Sequence, residues 1–143
     1  ESEKILLIKA RNYARFSMEA YGETSNNFSL IHSDLTPDNI IFNGSDLAVI
    51  DFDDAAFGWH MYDLASILVE CQQELDYQSL EDALLSGYCK YRSLSSQDID
   101  MLPVFLIVRG MAIIGWYHLR PEHNGSDLFK ELKGWVLRKC ISD

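Results

Sequence analysis

The sequence predicts an α+β fold that is mainly helical, with one small β-hairpin set into it. Three observations carry this. Apolar residues recur at helical intervals up to about residue 21 and again beyond residue 63. Between Phe28 and Asp51 the texture changes to short β-rich bursts, and Asn43-Gly44 stands between two of them. Repeats and low-complexity tracts are absent, and 143 residues with 48% hydrophobic content suit one globular domain with its own core.

The elements follow in order. From about Ser2 to Tyr21, Ile5, Leu6, Ile8, Tyr13, Phe16 and Ala20 mark a helix that Gly22 and the polar run Glu23-Thr24-Ser25-Asn26-Asn27 bring to an end. The bursts FSLIH, NIIFN and LAVID then follow. Asn-Gly between β-rich runs is a hairpin signal, so Ile40–Phe42 and Leu47–Ile50 are expected to pair antiparallel. The glycine-bearing stretch DFDDAAFGWHMY reads as a connection into a helix over DLASILVECQQEL. Further helices are expected over about Ser79–Ser93, about Gln97–Leu119 with Ser96 as N-cap, and about Ser126–Cys140 with Ser126 as N-cap. Pro103 falls in the first turns of its helix, where proline is tolerated or kinks the chain.

Charge and cysteine usage narrow the function classes. A formal net charge of −10 opposes nucleic-acid binding, which needs a basic face, and gives a mild preference for cationic partners. No uninterrupted apolar run reaches about 18 residues, and the opening ESEKILLIKARNYARF is amphipathic, so neither a membrane span nor a signal sequence is expected. Cys71, Cys89 and Cys140 are widely spaced and odd in number, which fits reduced thiols in a cytoplasmic protein.

The chemistry concentrates in His32-Ser33-Asp34-Leu35-Thr36-Pro37-Asp38-Asn39 and in Asp51-Phe52-Asp53. Strand ends and short loops hold side chains in fixed directions, which is how sites are built. Asp34 and Asn39 share one loop that Pro37 stiffens, and the hairpin returns Asp51 beside the strand leaving Asn39. Three oxygen-bearing side chains are therefore expected to converge. Phosphoryl transfer needs that set: a carboxylate for the attacking hydroxyl, and oxygen ligands for Mg2+ against a triphosphate.

His32, Asp34, Leu35 and Asn39 match the kinase catalytic-loop pattern H-R-D-L-x-x-x-N with Ser33 for the arginine, and Asp51-Phe52-Asp53 resembles D-F-G with Asp53 for the glycine. Together with Tyr62-Asp63-Leu64-Ala65, this text is similar to the aminoglycoside phosphotransferase superfamily, which includes choline, homoserine and hydroxylysine kinases. The resemblance implies a protein-kinase-like fold in which the chain is the mainly helical C-terminal lobe, its hairpin carrying the catalytic and metal loops. It implies Asp34 as catalytic base and Asn39 and Asp51 as ligands of Mg2+ and hence of ATP. Asp53 binds the metal directly or lies beside it. His32 and Asp63 are implied as structural supports, and Trp59 and Tyr62 as residues on the substrate side. The acceptor is then a small-molecule alcohol, with a cationic one preferred.

Two departures separate this chain from regulated protein kinases. Ser33 removes the arginine that receives an activation-loop phosphate, and eleven residues between Asp51 and Asp63 leave no room for such a loop. Thr36 stands where the superfamily often has histidine, and Asp38 where it often has glycine. Neither G-x-G-x-x-G nor V-A-x-K occurs before His32. The expectation is that the N-terminal nucleotide-binding lobe is absent and that this lobe alone binds ATP poorly. Two rival readings are a metal-dependent hydrolase using His32, Asp34, Asp51 and Asp53, and a non-catalytic scaffold or remnant. Neither oligomeric state nor the choice of ATP over GTP follows from the residues.

Overall fold

The computed structural model describes residues 3–120, 122 and 126–139. Ser2 and Cys140, expected at the outer ends of the first and last helices, lie outside them. Element order is α1 (Glu3–Tyr21), β1 (Phe28–Ile31), β2 (Ile40–Phe42), β3 (Leu47–Val49), β4 (Ala56–Trp59), α2 (His60–Glu70), α3 (Tyr77–Tyr88), α4 (Ser96–His118) and α5 (Asp127–Lys139). The fold is α+β, mostly helical, and the chain divides into two compact units: residues 1–22 with 103–143, and residues 23–102.

The first unit is built from α1, α5 and α4 from Pro103 onward. Ala10 and Ala14 of α1, Val104 to Ile107 of α4, and Leu132 and Val136 of α5 are buried. Small residues decide how closely the helices approach. A side chain at Gly110 of α4 would run into Val136 of α5, so only glycine permits this contact. The Tyr21 and Phe105 rings meet edge to face at 6.3 Å, and Lys133 pairs with Glu3 across α5 and α1. Ser126 caps α5 as expected, its Oγ accepting the Phe129 amide at 3.2 Å.

The second unit holds two separate two-stranded sheets. β2 and β3 form the expected hairpin in the register Ile40↔Val49, Ile41↔Ala48, Phe42↔Leu47. Asn43 closes its turn by accepting the Ser45 and Asp46 amides, and Gly44 takes φ +94°, a backbone state that favours glycine. The second sheet was not expected. The tail of the presumed connection is strand β4, which pairs antiparallel with β1 in the register Phe28↔Trp59 to Ile31↔Ala56. Gly58 is small because a side chain there would meet Ile31 Cδ1 at 2.5 Å. Beneath this sheet α2 buries Met61, Leu64, Ala65, Leu68 and Val69.

Helix α4 differs in two respects from the sequence reading. Its start is fixed by Ser95 rather than Ser96: Ser95 Oγ accepts the Asp98 amide while Asp98 Oδ2 accepts the Ser95 amide at 2.6 Å, a reciprocal cap. It is also long and apolar enough by length and composition to cross a membrane. Its N-terminal half is core, however, with Met101, Leu102, Val104, Phe105, Leu106 and Ile107 all at most 7% exposed.

Candidate active site

Antiparallel pairing of β1 with β4 ends at Ile31↔Ala56, so the chain enters the His32–Asn39 loop where it has just left Asp51–Asp53. The two motif segments are neighbours for a topological reason. The hairpin that separates them in sequence closes back on itself, and the Ile50 amide donates to the Asn39 carbonyl at 3.0 Å.

Asp63 holds the loop from below. Lying in the first turn of α2, where a carboxylate suits the helix dipole, it accepts the His32 amide on Oδ2 at 2.8 Å and the Ser33 amide on Oδ1 at 2.9 Å. Both oxygens are used on backbone, so Asp63 acts as a brace. The clamp coincides with an unusual backbone: Ser33 has φ +68°, a left-handed state that costs an L-residue roughly 1–2 kcal/mol. Two charge-assisted hydrogen bonds on adjacent amides offset that cost.

His32 ties the loop to the metal segment. Its ring is buried, and Nε2 lies 2.9 Å from the Ile50 carbonyl while Nδ1 lies 3.3 Å from the Asp34 amide. A carbonyl can only accept and an amide N–H can only donate. With Nδ1 accepting from the amide, Nε2 is the nitrogen that donates to the carbonyl. Phe52 packs against the same ring at 4.6 Å between centroids, tilted by 47°. Asp51, between the gripped carbonyl and the Phe52 ring, also has a positive φ of +62°. Its side chain and that of Asp53 are exposed. The backbone turns at once afterwards, the Ala55 amide donating to the Phe52 carbonyl at 3.0 Å.

Asn39 completes the loop. It ends the short 3₁₀ turn Pro37–Asn39, and its Nδ2 donates to the Asp34 carbonyl at 2.9 Å and to Asp34 Oδ2 at 3.4 Å. Because a backbone carbonyl needs a donor, the amide nitrogen faces Asp34, and the amide oxygen is the end left for a cation. Trp59 packs edge to face on Phe28 at 5.1 Å, and Tyr62 is half-buried in the first turn of α2.

The structure thus joins His32, Asp34 and Asn39 directly, links them to Asp51 through the Ile50 carbonyl, and sets Asp63 beneath them. The same contacts bear on the hydrolase reading, which needs His32 as a metal ligand. Both His32 nitrogens are engaged by backbone, and among the described residues no three His, Cys, Asp or Glu side chains gather closely enough to hold a metal ion. Asn39, Asp51 and Asp53 offer two carboxylates and an amide oxygen. Hard oxygen donors of this kind are what Mg2+ would take. What the sequence alone does not reveal is the part played by backbone. The Ile50 carbonyl and the positive φ at two non-glycine residues leave no mark in residue identity.

Known proteins are similar to this chain in sequence and in fold. The family model described as phosphotransferase enzyme family matches residues 10–96. Homoserine kinase from Chelativorans sp. is 41% identical over 88 residues, covering 59% of this chain and 27% of its own length. Homoserine kinase from Pseudomonas aeruginosa is 37% identical over 83 residues, 54% of this chain and 26% of its own. The chain therefore spans about a quarter of the length of the curated relatives it matches. Among solved structures, a microcompartment-associated aminopropanol kinase superposes with a TM-score of 0.76 at 28% identity over 99% of this chain and 43% of that one. An amicoumacin kinase in complex with AMP-PNP, Ca2+ and Ami gives 0.79 at 17% identity, over 99% and 46%. Its likeness is one of fold. The family match takes in the braced loop, the hairpin, the Asp51 segment and all of α2 and α3, and on that extent the chain belongs to the phosphotransferase enzyme family.

Proposed function

We propose that this chain is the metal-binding and acceptor-binding lobe of a kinase that transfers the terminal phosphoryl group of ATP to the hydroxyl of a small amino-bearing alcohol. The observation that carries the reading is the double tether on one loop, Asp63 on the His32 and Ser33 amides and His32 on the Ile50 carbonyl. It fixes the backbone of the loop that carries Asp34 and Asn39 against the residue before Asp51, and in-line transfer between two oxygens depends on positioning of that kind. Mg2+ and ATP, when bound, supply the phosphoryl group and the positive charge that offsets its developing negative charge.

Asp34 would orient the acceptor hydroxyl and take its proton as the hydroxyl oxygen bonds the terminal phosphorus and the bond from that phosphorus to the ADP leaving group breaks. Asn39 and Asp51 hold the metal, with Asp53 as a further oxygen at the exposed edge. Trp59 and Tyr62 stand on the acceptor side, and the packing of Trp59 on Phe28 fixes its ring. The class of acceptor is supported by the names of the relatives, homoserine kinase and aminopropanol kinase, and by the net charge of −10, which favours an ammonium-bearing substrate.

The test uses the parent protein containing this lobe, assayed for ATP-dependent phosphorylation of homoserine, aminopropanol and a neutral alcohol of similar size. Phosphorylation of an amino alcohol is expected, and Asp34→Ala is expected to lower kcat by about 10³-fold or more with the circular dichroism spectrum unchanged. Undiminished turnover in that variant would remove Asp34 from its role, and preference for the neutral alcohol would remove the proposed acceptor class.

A further inference from the structure

We propose a second binding site, remote in kind from phosphoryl transfer: a groove in the helical unit that takes a monomeric amphiphile with an apolar body and one anionic group. The groove has a volume of ≈ 750 Å3, within the range of small-molecule pockets, and lies among α1, the C-terminal half of α4, and α5. Its floor is apolar, formed by Leu7, Ile8, Val108, Met111, Ile114 and Phe129.

The rim carries the opposite sign to the chain. Lys4, Arg11 and Lys133 border the groove with one carboxylate, Glu3, in a chain whose net charge is −10. Glu3 is committed to Lys133, and the Arg11 guanidinium donates to the neutral Asn12 Oδ1 at 3.2 Å. Lys4, Leu7, Ile8 and Arg11 fall at i, i+3, i+4 and i+7, which sets two apolar side chains between two cations on one face of α1. A ligand that fits must desolvate in its middle and stay charged at its end. A neutral hydrocarbon would forgo the rim, and a cationic amphiphile would be repelled by it.

Gly115 makes the site testable without unfolding the helix. It lines the groove, and a side chain there would meet nothing within 4 Å. Gly115→Leu fills the space while replacing a poor helix former by a good one. The experiment titrates the parent protein containing this lobe with decanoate, decanol and decyltrimethylammonium, each below its micelle concentration, following heat or intrinsic tryptophan fluorescence. Decanoate is expected to bind at least about tenfold more tightly than the other two. Lys4→Glu with Arg11→Glu is expected to abolish that preference, and Gly115→Leu to abolish binding with helicity retained. Equal affinity for the three probes, or decanoate binding unchanged in Gly115→Leu, would overturn the proposal. So would association with phosphatidylglycerol vesicles in the absence of binding to monomeric decanoate, which would mark a membrane-contacting face.

Discussion

Ser33 and Asp51 are L-residues held in a left-handed backbone state, at φ +68° and +62°, on the two segments that carry the proposed chemistry. Strain of this kind persists where the surroundings over-determine it. For Ser33 the over-determination is visible in the two Asp63 hydrogen bonds, so Asp63→Ala is expected to cost at least about 2 kcal/mol in urea unfolding of this chain. In the parent enzyme the same change is expected to lower kcat more than it raises the KM for ATP, because Asp34 loses its position while Asp51, on the other segment, remains. Asp51 offers the reverse experiment. Asp51→Gly removes the steric cost of positive φ, against a smaller entropic cost of glycine in the unfolded chain, and should raise stability by roughly 0.5–1 kcal/mol. It should at the same time abolish Mg2+-dependent nucleotide binding by the parent protein. A variant that is both more stable and inactive would show that Asp51 is retained for chemistry, and one that is destabilised would show a structural role instead. These roles were partly legible in residue identity. Asp34, Asn39, Asp51 and Asp63 announce themselves by spacing, but glycine, the usual signal of a left-handed residue, is absent from both positions.

Among the elements, those with a continuous local pattern were readable and those defined by a partner were not. The hairpin was readable because Asn43-Gly44 encodes its turn and the flanking runs are β-rich. β4 was missed because Asp53 to Trp59 lacks alternation and contains a glycine. It is a strand because β1 supplies its hydrogen bonds and Ile31 needs the space at Gly58. The same logic governs Gly110. Intrinsic helix propensity favours alanine there by up to about 1 kcal/mol, but the Val136 side chain occupies the place of the new methyl group. Overpacking of a closed core costs typically about 1–3 kcal/mol, so Gly110→Ala is expected to lower stability, and adding Val136→Ala to recover part of the loss relative to Val136→Ala alone. At the head of α2, His60 accepts or donates at 2.7 Å to Ser29 Oγ. Burial, then the nearby Arg92, pushes its pKa below 6.5, against the opposing pull of the Asn26 carbonyl, Asp63 and Asp98. The unfolded chain therefore takes up the proton first as pH falls. Stability contributed by neutral His60 is complete above about pH 6.5 and declines as pH drops through the folded value. Unfolding midpoints measured at pH 7.5 and at about pH 5.5 should differ less in His60→Gln than in the unaltered chain.

At the scale of the whole molecule the distribution of apolar surface is uneven. α2 and the middle of α4 are buried, yet two cross-strand pairs of large apolar residues stand in water. These are Phe42↔Leu47 on the hairpin and Leu30↔Phe57 on the other sheet, with each side chain at least 65% exposed. Ile41, Val49, Ile50 and Phe52 add to the surface around the hairpin. Single exposed apolar side chains are ordinary, but registered pairs on short two-stranded ribbons put apolar surface together beside strand edges that have no partner among the described residues. Removing one large apolar side chain from water is worth about 2 kcal/mol, so two molecules that cover such a pair on each other gain about 8 kcal/mol before an association cost of at least about 4 kcal/mol, which leaves weak association near millimolar concentration against the repulsion of a net charge of −10. Light scattering coupled to gel filtration should therefore show the mass of this chain by itself rising with concentration, and more steeply as salt screens the repulsion. Phe42→Lys with Phe57→Lys should leave the thermal midpoint within about a few degrees and hold the chain monomeric, because neither side chain belongs to the core. A mass that stays at one chain throughout, at high salt as well as low, would mean that the exposed pairs contribute no association. A salt-dependent mass that survives the double substitution would place the sticky surface elsewhere.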